Sequence, residues 1–330
     1  MATNSYYVNG WAHIVMQSVT IIANLMTIIA FAKIRSLRTH TSNLLIYALS
    51  ITDFMWGIFQ FLYSGVSFVY QSGPPFGELG CKISVPFEFM YNVGNMLLVA
   101  ISVDRVLLVS LDYQKYVKIM TMRRLKVIIA VCYLICNIGS AIELGLWEVA
   151  KSALAPAKSL DYTHSCPFPA RRAFKSFGSF VTLFYFILPL ILVGILSGIF
   201  VNRLIIRLRK NRQICVVNAD VANQQNVTEN AANEGQSAQK RYMKAAVTLA
   251  ALVSAMCVSM LPYSLYILVS VLTGQNGSIA MELTVWGVVS LNPLLDPLFY
   301  AATQKDIREF YGAKIKRLMN RCGACRNPNL

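Results

Sequence analysis

Charge is scarce in this chain of 330 residues: Asp, Glu, Lys and Arg make up 14% of it, against about 25% in a typical soluble domain. Histidine is scarcer still, with three. There is no His-Glu-x-x-His, no Gly-x-Ser-x-Gly and no phosphate-cradling glycine loop, so an enzyme is disfavoured and no metal site is expected. No internal repeat is visible, nor an inverted pair of broken helices of the kind transporters use. Short segments of period two, the mark of outer-membrane strands, are also missing. Apolar residues are what the chain has, at 56% with a mean hydropathy of +0.52. A water-soluble fold of this size has too little interior to hide them. The reading is an all-α membrane protein.

A spanning helix needs roughly 20 mostly apolar residues. Seven segments reach that length, centred on Ile14–Ala32, Leu44–Tyr70, Ile83–Val103, Val127–Leu146, Ser176–Val201, Ala245–Leu272 and Leu283–Ala302. The expected spans are residues 11–33, 43–70, 82–111, 125–147, 176–207, 241–272 and 282–302, a seven-transmembrane helix bundle. Residues 1–10 are a short extracellular N-terminus, and 303–330 an amphipathic helix and cytoplasmic tail. Lys and Arg number 23 on the loops after spans one, three and five and on the tail, and six on the opposite side. By the positive-inside rule the N-terminus is outside. The net charge of +15 then reflects anionic inner-leaflet lipid rather than nucleic acid. No basic flank precedes the first span, which serves as the targeting signal. Asn276-Gly277-Ser278 is a glycosylation sequon on an outside loop, whereas Asn226-Val227-Thr228 falls inside. Residues 211–239, rich in Asn, Ala and Gln, read as a flexible third cytoplasmic loop.

Ionisable groups at bilayer depth are costly and mark function. Asn24 lies nine residues before Lys33 and Asp296 nine before Lys305, which places each about 14 Å from the cytoplasmic boundary. Asp53 reaches a similar depth, and Asn292 lies one turn before Asp296. Asn24, Asp53, Asn292 and Asp296 therefore form either a hydrogen-bond network that only joins helices, or a hydrated cavity able to hold a sodium ion or a proton. In the third span, Glu88 is about 25 Å of helix from Arg105. It either reaches the outer interface or acts as counter-ion to a cationic ligand. His13 and His164 read as interfacial residues.

Cys81 and Cys166 are the two cysteines on the oxidising side, which predicts a bridge. Cys132 and Cys136, one turn apart, are packing residues. Cys322 and Cys325 follow a basic amphipathic stretch and suit palmitoylation; a zinc half-site is the other reading, with no second ligand pair to complete it. Pro189 and Pro262 interrupt the fifth and sixth spans, freeing backbone carbonyls and making pivots.

These residues resemble the rhodopsin-like (class A) G-protein-coupled receptors. The resemblance rests on Asn24, on Leu49-Ser50-Ile51-Thr52-Asp53, on Cys81, and on Ser102-Val103-Asp104-Arg105-Val106, which is similar to the family's Asp-Arg-Tyr motif. It rests also on Pro189, Pro262 and Asp296-Pro297-Leu298-Phe299-Tyr300, similar to (Asn/Asp)-Pro-x-x-Tyr, and on the amphipathic Gln304–Arg317. It spans Trp11 to about Asn320. Phe76-Gly77-Glu78-Leu79-Gly80-Cys81-Lys82, with Glu88 and Tyr263, looks like the histamine and acetylcholine branch, in which an aspartate near the position of Glu88 binds the ligand ammonium.

The resemblance implies a plasma-membrane receptor that carries binding of an extracellular small molecule, an amine on this reading, to heterotrimeric G proteins, with no cofactor beyond an allosteric sodium ion. The implied ligand set is Glu88, Phe87, Tyr91, Asn92, Thr182, Tyr185, Tyr263 and Trp286. Asp104, Arg105, Tyr300, Pro189 and Pro262 form the implied switch. Departures are clear as well. Glu88 stands one residue closer to Arg105 than the family's aspartate does. Met260 replaces a usual tryptophan, Gly94 a usual sodium-site serine, and no acidic residue near Tyr242 holds Arg105. The last point predicts high basal signalling. A peptide or lipid receptor, supported by the basic segment Arg171–Lys175, and a transporter or proton channel built on Asp53 and Asp296 are the alternatives.

Overall fold

The computed structural model describes residues 2–39, 41–65, 76–154, 169–221, 253–270, 273 and 279–326; among these there is no strand. The elements are α1 (Ala2–Lys33), α2 (Arg35–Thr39), α3 (Thr41–Gln60, extended by a π turn, Phe61–Gly65), α4 (Glu78–Ser110), α5 (Tyr113–Ile119), α6 (Met122–Gly145) and α7 (Trp147–Leu154). Then follow α8 (Pro169–Ala173), α9 (Lys175–Thr182), a π turn at Leu183–Ile187, α10 (Leu188–Val221), α11 (Val253–Ser270), α12 (Ile279–Val289), α13 (Leu291–Thr303) and α14 (Lys305–Arg326). Six of the helical stretches are long and apolar enough to cross a membrane. The seventh span is divided between α12 and α13. Its break is at Ser290, because Pro293 has no N–H to give the carbonyl of Val289.

Two boundaries differ from the expected ones. Helix α1 begins at Ala2 rather than near Trp11, and α10 continues through Val221 into the stretch read as flexible loop. Neither Gly10 nor Asn211 breaks the backbone, and Asn, Ala and Gln are tolerated in a helix that is already nucleated. The rest of that loop, 222–239, lies outside the described residues, as do residues 240–252 at the start of the expected sixth span, Cys166, His164 and Asn276.

Helix α4 is the axis of the bundle. It packs on α3, α6 and α10, while α1 packs on α3 and α13. Its buried positions face three sides and include Glu88, Asn92, Asn95 and Asp104. Gly139 of α6 lets that helix close on α4, since a Cβ there would sit 2.5 Å from both the Phe89 ring and the Tyr185 hydroxyl. Helix α14 is fastened sideways onto the bundle. Ile307 is fully buried, and the Tyr311 hydroxyl donates to the carbonyl of Ala23 at 2.7 Å. Leu25, Val131, Leu134, Ile195 and Ile199, by contrast, lie exposed on the outer faces of the bundle. Large aliphatic side chains in such numbers on the outside suit acyl chains, not water.

Candidate functional site

Three polar layers stack along α4. The middle one joins Asn24, Asp53, Asn292 and Asp296, all buried. Asp53 of α3 and Asp296 of α13 are carboxyl neighbours. Both oxygens of Asp296 and Oδ2 of Asp53 are buried with no hydrogen-bond partner outside the carboxyl pair, and Oδ1 of Asn292 is buried without one. Two enclosed carboxylates repel unless a proton or a cation lies between them, and oxygen donors suit a hard cation. Asn24 has a different task. Its Nδ2 donates to the carbonyl of Pro293 at 2.9 Å, the group that Pro297, four residues on, cannot bond.

The same device recurs. Pro189 leaves the carbonyl of Tyr185 without its helical donor, the backbone widens into the π turn before it, and Asn95 of α4 donates to that carbonyl at 3.3 Å. Pro293 frees the carbonyl of Val289, which the Tyr91 hydroxyl approaches at 3.4 Å while also lying 2.7 Å from the sulfur of Met260. Each of these three prolines is thus matched by a polar side chain on another helix, and an orphaned carbonyl in lipid is avoided there.

Toward the Cys81 end lies the layer that the sequence did not disclose. Arg171 of α8 is buried and reaches two glutamates. Its Nη1 donates to Oε1 of Glu88 at 2.6 Å; Nε and Nη2 donate to Oε2 of Glu143 at 3.0 and 2.8 Å. The guanidinium lies 5.9 Å from the Phe89 ring centroid. Burial alone would favour its neutral form, but Glu143 and Glu88 outweigh that and hold its pKa above the usual arginine range. Glu88 does not reach an interface: it is 4% exposed. Nor does Arg171 stand free to meet an acidic ligand, because its own chain's carboxylates take it. Oε2 of Glu88 and Oε1 of Glu143 remain buried without a partner. Two carboxyls thus share one base, with one oxygen of each left over.

The other expected ligand residues divide into two groups. Tyr91, Asn92, Tyr185 and Tyr263 are buried: the Tyr91 ring lies 5.0 Å from Trp56 of α3 and its hydroxyl meets Met260 of α11, Phe186 lies against Tyr263 at 5.3 Å, and Tyr185 has Phe89 edge-on at 5.1 Å and donates to the carbonyl of Ile135 of α6. Phe87 instead stacks on Phe59 at 4.4 Å, and the Thr182 hydroxyl bonds back to Gly178 within its own helix. Trp286 lies on α12, its side chain outside the described ones. His13 is not interfacial: it is buried, with Nε2 3.3 Å from Oε1 of Gln60. Aside from these, a cavity of about 550 Å³ opens between α4, α6 and α10, but its walls are apolar apart from Arg124 and offer a charged ligand little.

At the Arg105 end, Asp104 accepts from the Tyr116 hydroxyl at 2.7 Å and lies 3.8 Å from Nε of Arg105. That nitrogen has no hydrogen-bond partner, and neither does the fully buried Tyr300 hydroxyl. Arg207 of α10 donates to the carbonyls of Val109 and Leu111, closing the C-terminal end of α4. Cys132, Cys136 and Cys257 carry free thiols, and Cys322 and Cys325 lie in the last turns of α14.

Comparison with known proteins agrees with this geometry. The profile described as 7 transmembrane receptor (rhodopsin family) matches residues 23–300. The human histamine H2 receptor is 26% identical over 298 residues, covering 89% of this chain and 75% of the relative. Trace amine-associated receptor 365 of Petromyzon marinus is 23% identical over 296 residues, with the same coverage. The D(1)-like dopamine receptor of Takifugu rubripes is 29% identical over 136 residues, or 41% of this chain and 29% of the relative.

Proposed function

Given that the chain belongs to the rhodopsin family of seven-transmembrane receptors, we propose that its ligand is a small amine. The family is one of multi-pass, non-enzymatic membrane receptors coupled to G proteins, which sets the channel reading of Asp53 and Asp296 aside. The observation that carries the amine is the pair of carboxyl oxygens, one on Glu88 and one on Glu143, buried beside Arg171 without a hydrogen-bond partner. An ammonium group donates N–H bonds, and the unpartnered oxygens of Glu88 and Glu143 accept them. Phe89, 5.9 Å from the Arg171 guanidinium, supplies an aromatic face there for a cation. The printed names of three relatives, for histamine, trace amines and dopamine, support the same class.

The receptor sits in the plasma membrane with the Cys81 end outside, a reading supported by the 23 basic residues on the Arg105 side against six on the other. Cys81 and Cys166 form a bridge there, and Asn276 carries glycan. Sodium binds between Asp53 and Asp296. Ligand binding shifts the population toward an arrangement in which Arg105, with Tyr300 beside it, meets the G protein between the basic ends of the fifth and sixth spans. Cys322 and Cys325 are acylated at the inner leaflet.

The test is G-protein dissociation in cells expressing the chain, against a panel of biogenic amines, with Glu88→Gln alongside. A saturable response to one amine, weakened about tenfold or more in the variant, is expected, since a charge-assisted hydrogen bond contributes about 1.5–3 kcal/mol. Silence from a surface-expressed receptor toward every amine would overturn this reading in favour of a peptide or lipid ligand.

A further inference from the structure

The guanidinium of Arg171 is held the way a ligand is held. Three of its N–H groups engage two carboxylates, one on α4 and one on α6, at 2.6 to 3.0 Å. An aromatic face lies 5.9 Å away. All three charged side chains are less than a tenth exposed. A planar fork with several donors meets this requirement, and a lysine point charge does not. The residue is not part of a spanning helix. It belongs to the five-residue α8, and Phe174 (φ −110°, ψ 85°) breaks the helix before α9 starts the fifth span. The cation is therefore carried on a separate short segment laid against the bundle. Gly178 of α9 makes room for it, because a Cβ there would lie 2.7 Å from the Arg171 carbonyl oxygen.

We propose that Glu88 and Glu143 form a guanidinium-binding site which the chain fills with its own Arg171, so that the receptor carries a tethered cationic ligand. The tether joins the Cys81 ends of α4 and α6 to the start of the fifth span. These are elements that a free cationic agonist would draw together through Glu88. Arg171 thereby supports signalling without any added ligand. The inference uses the carboxylates of the amine reading but does not depend on it, because its test contains none of the panel amines.

The experiment measures basal G-protein dissociation, normalised to surface receptor, for wild type and Arg171→Ala, with and without millimolar ethylguanidinium. Tetramethylammonium, which donates no N–H, is the control. Basal signalling is expected to fall at least about fivefold in Arg171→Ala, the low end of coupling between two sites. Ethylguanidinium should restore it saturably, and tetramethylammonium should not. Restoration should vanish when Glu88→Gln and Glu143→Gln are added. An unchanged or raised basal level, or no restoration at equal surface expression, overturns the proposal. A variant that fails to reach the surface is assayed after detergent extraction. There, a saturable rise in Tm with ethylguanidinium that the triple variant lacks supports the site, and no rise overturns it. If the amine panel is silent while ethylguanidinium restores signalling, the amine reading fails and the tethered cation stands.

Discussion

A methyl group at position 178 has no space to occupy. Its nearest neighbour would be a backbone atom, the Arg171 carbonyl oxygen at 2.7 Å, which moves only if α8 moves. Overpacking of this kind costs about 1–3 kcal/mol, and here the displaced segment carries the guanidinium as well. Gly178→Ala is expected to lower the Tm of the solubilised receptor and to weaken basal signalling together. Gly198 is the matched control: nothing lies within 4 Å of its Cβ position. Gly198→Ala, in the middle of α10, is expected to leave signalling unchanged and to stabilise by about 0.5–1 kcal/mol through helix propensity. Equal Tm changes for the two substitutions would show that α8 does not rest on α9. A different single-residue test addresses the buried charges. Glu143→Gln keeps the shape of the side chain but leaves Arg171 with one carboxylate instead of two. Arg171 keeps its Glu88 partner at 2.6 Å, so Glu143→Gln should cost less than the about 3–5 kcal/mol of breaking a buried pair, and its Tm should fall by less than that of Arg171→Ala, which leaves both carboxyls without the base.

The fifth span and the α13 half of the seventh stay helical across their prolines because other helices complete them. Pro189 removes the donor to Tyr185, and Asn95 of α4 replaces it; Pro297 removes the donor to Pro293, and Asn24 of α1 replaces it. A bare carbonyl left by Asn95→Ala should cost about 1–3 kcal/mol. In a Pro189→Ala background a backbone N–H returns to that carbonyl, so the same Asn95→Ala change should then cost much less. The double-mutant cycle, read by thermal unfolding, is expected to show a coupling of about 1 kcal/mol or more. Strict additivity would mean that Asn95 does not serve the proline. The sequence showed one half of each such pair. Proline at a position in an apolar run announces a missing N–H wherever it occurs, so the backbone change at Pro189 and the apolar spans were legible. The partner was not, because it depends on which helix faces which. The same limit hid the charge cluster. Glu143 and Arg171 are 28 residues apart and Glu88 and Arg171 83 apart, and no periodicity links such distant positions. An acidic residue inside the fourth span was the one available signal, since an ionised group at that depth requires a partner. Arg171 read as loop charge because α8 is too short to carry a helical pattern. The membrane-depth acids Asp53 and Asp296 were legible for the opposite reason: both sit in long, regular spans, where counting residues measures depth.

Across the molecule, the two charge clusters, one joining α4 to α6 and α8 and one between α3 and α13, set opposite demands. Near the Cys81 end, Arg171 draws the fourth and fifth spans onto α4. At mid-depth, Asp53 and Asp296 push α3 and α13 apart unless a proton or cation intervenes. A sodium ion there would tie the second span to the seventh, next to Pro297 and Tyr300, and so would favour whichever arrangement keeps those carboxylates close. A ligand stabilises the state that binds it by RT ln(1 + [L]/Kd), about 2.7 kcal/mol at a hundredfold excess over Kd. Sodium, compared with choline at equal ionic strength, is accordingly expected to raise the Tm of the solubilised receptor and to lower its basal signalling. Asp53→Asn should abolish both effects, since it removes the charge that the cation serves. Gly94 allows the reverse test. Its Cβ position has room, with Leu49 Cδ1 at 3.5 Å and Asp53 Oδ1 at 3.9 Å. A serine there would place a hydroxyl oxygen beside the carboxylate and add one more hard donor. Gly94→Ser is expected to reach the same sodium-induced Tm rise at several-fold lower sodium concentration, with basal signalling more sensitive to salt. If Gly94→Ser shows no gain while Asp53→Asn still loses the sodium effect, the ion lies on the Asp296 side of the pair, away from α4. A receptor equally stable in sodium and choline would mean that a shared proton, not a metal ion, holds the second and seventh spans together.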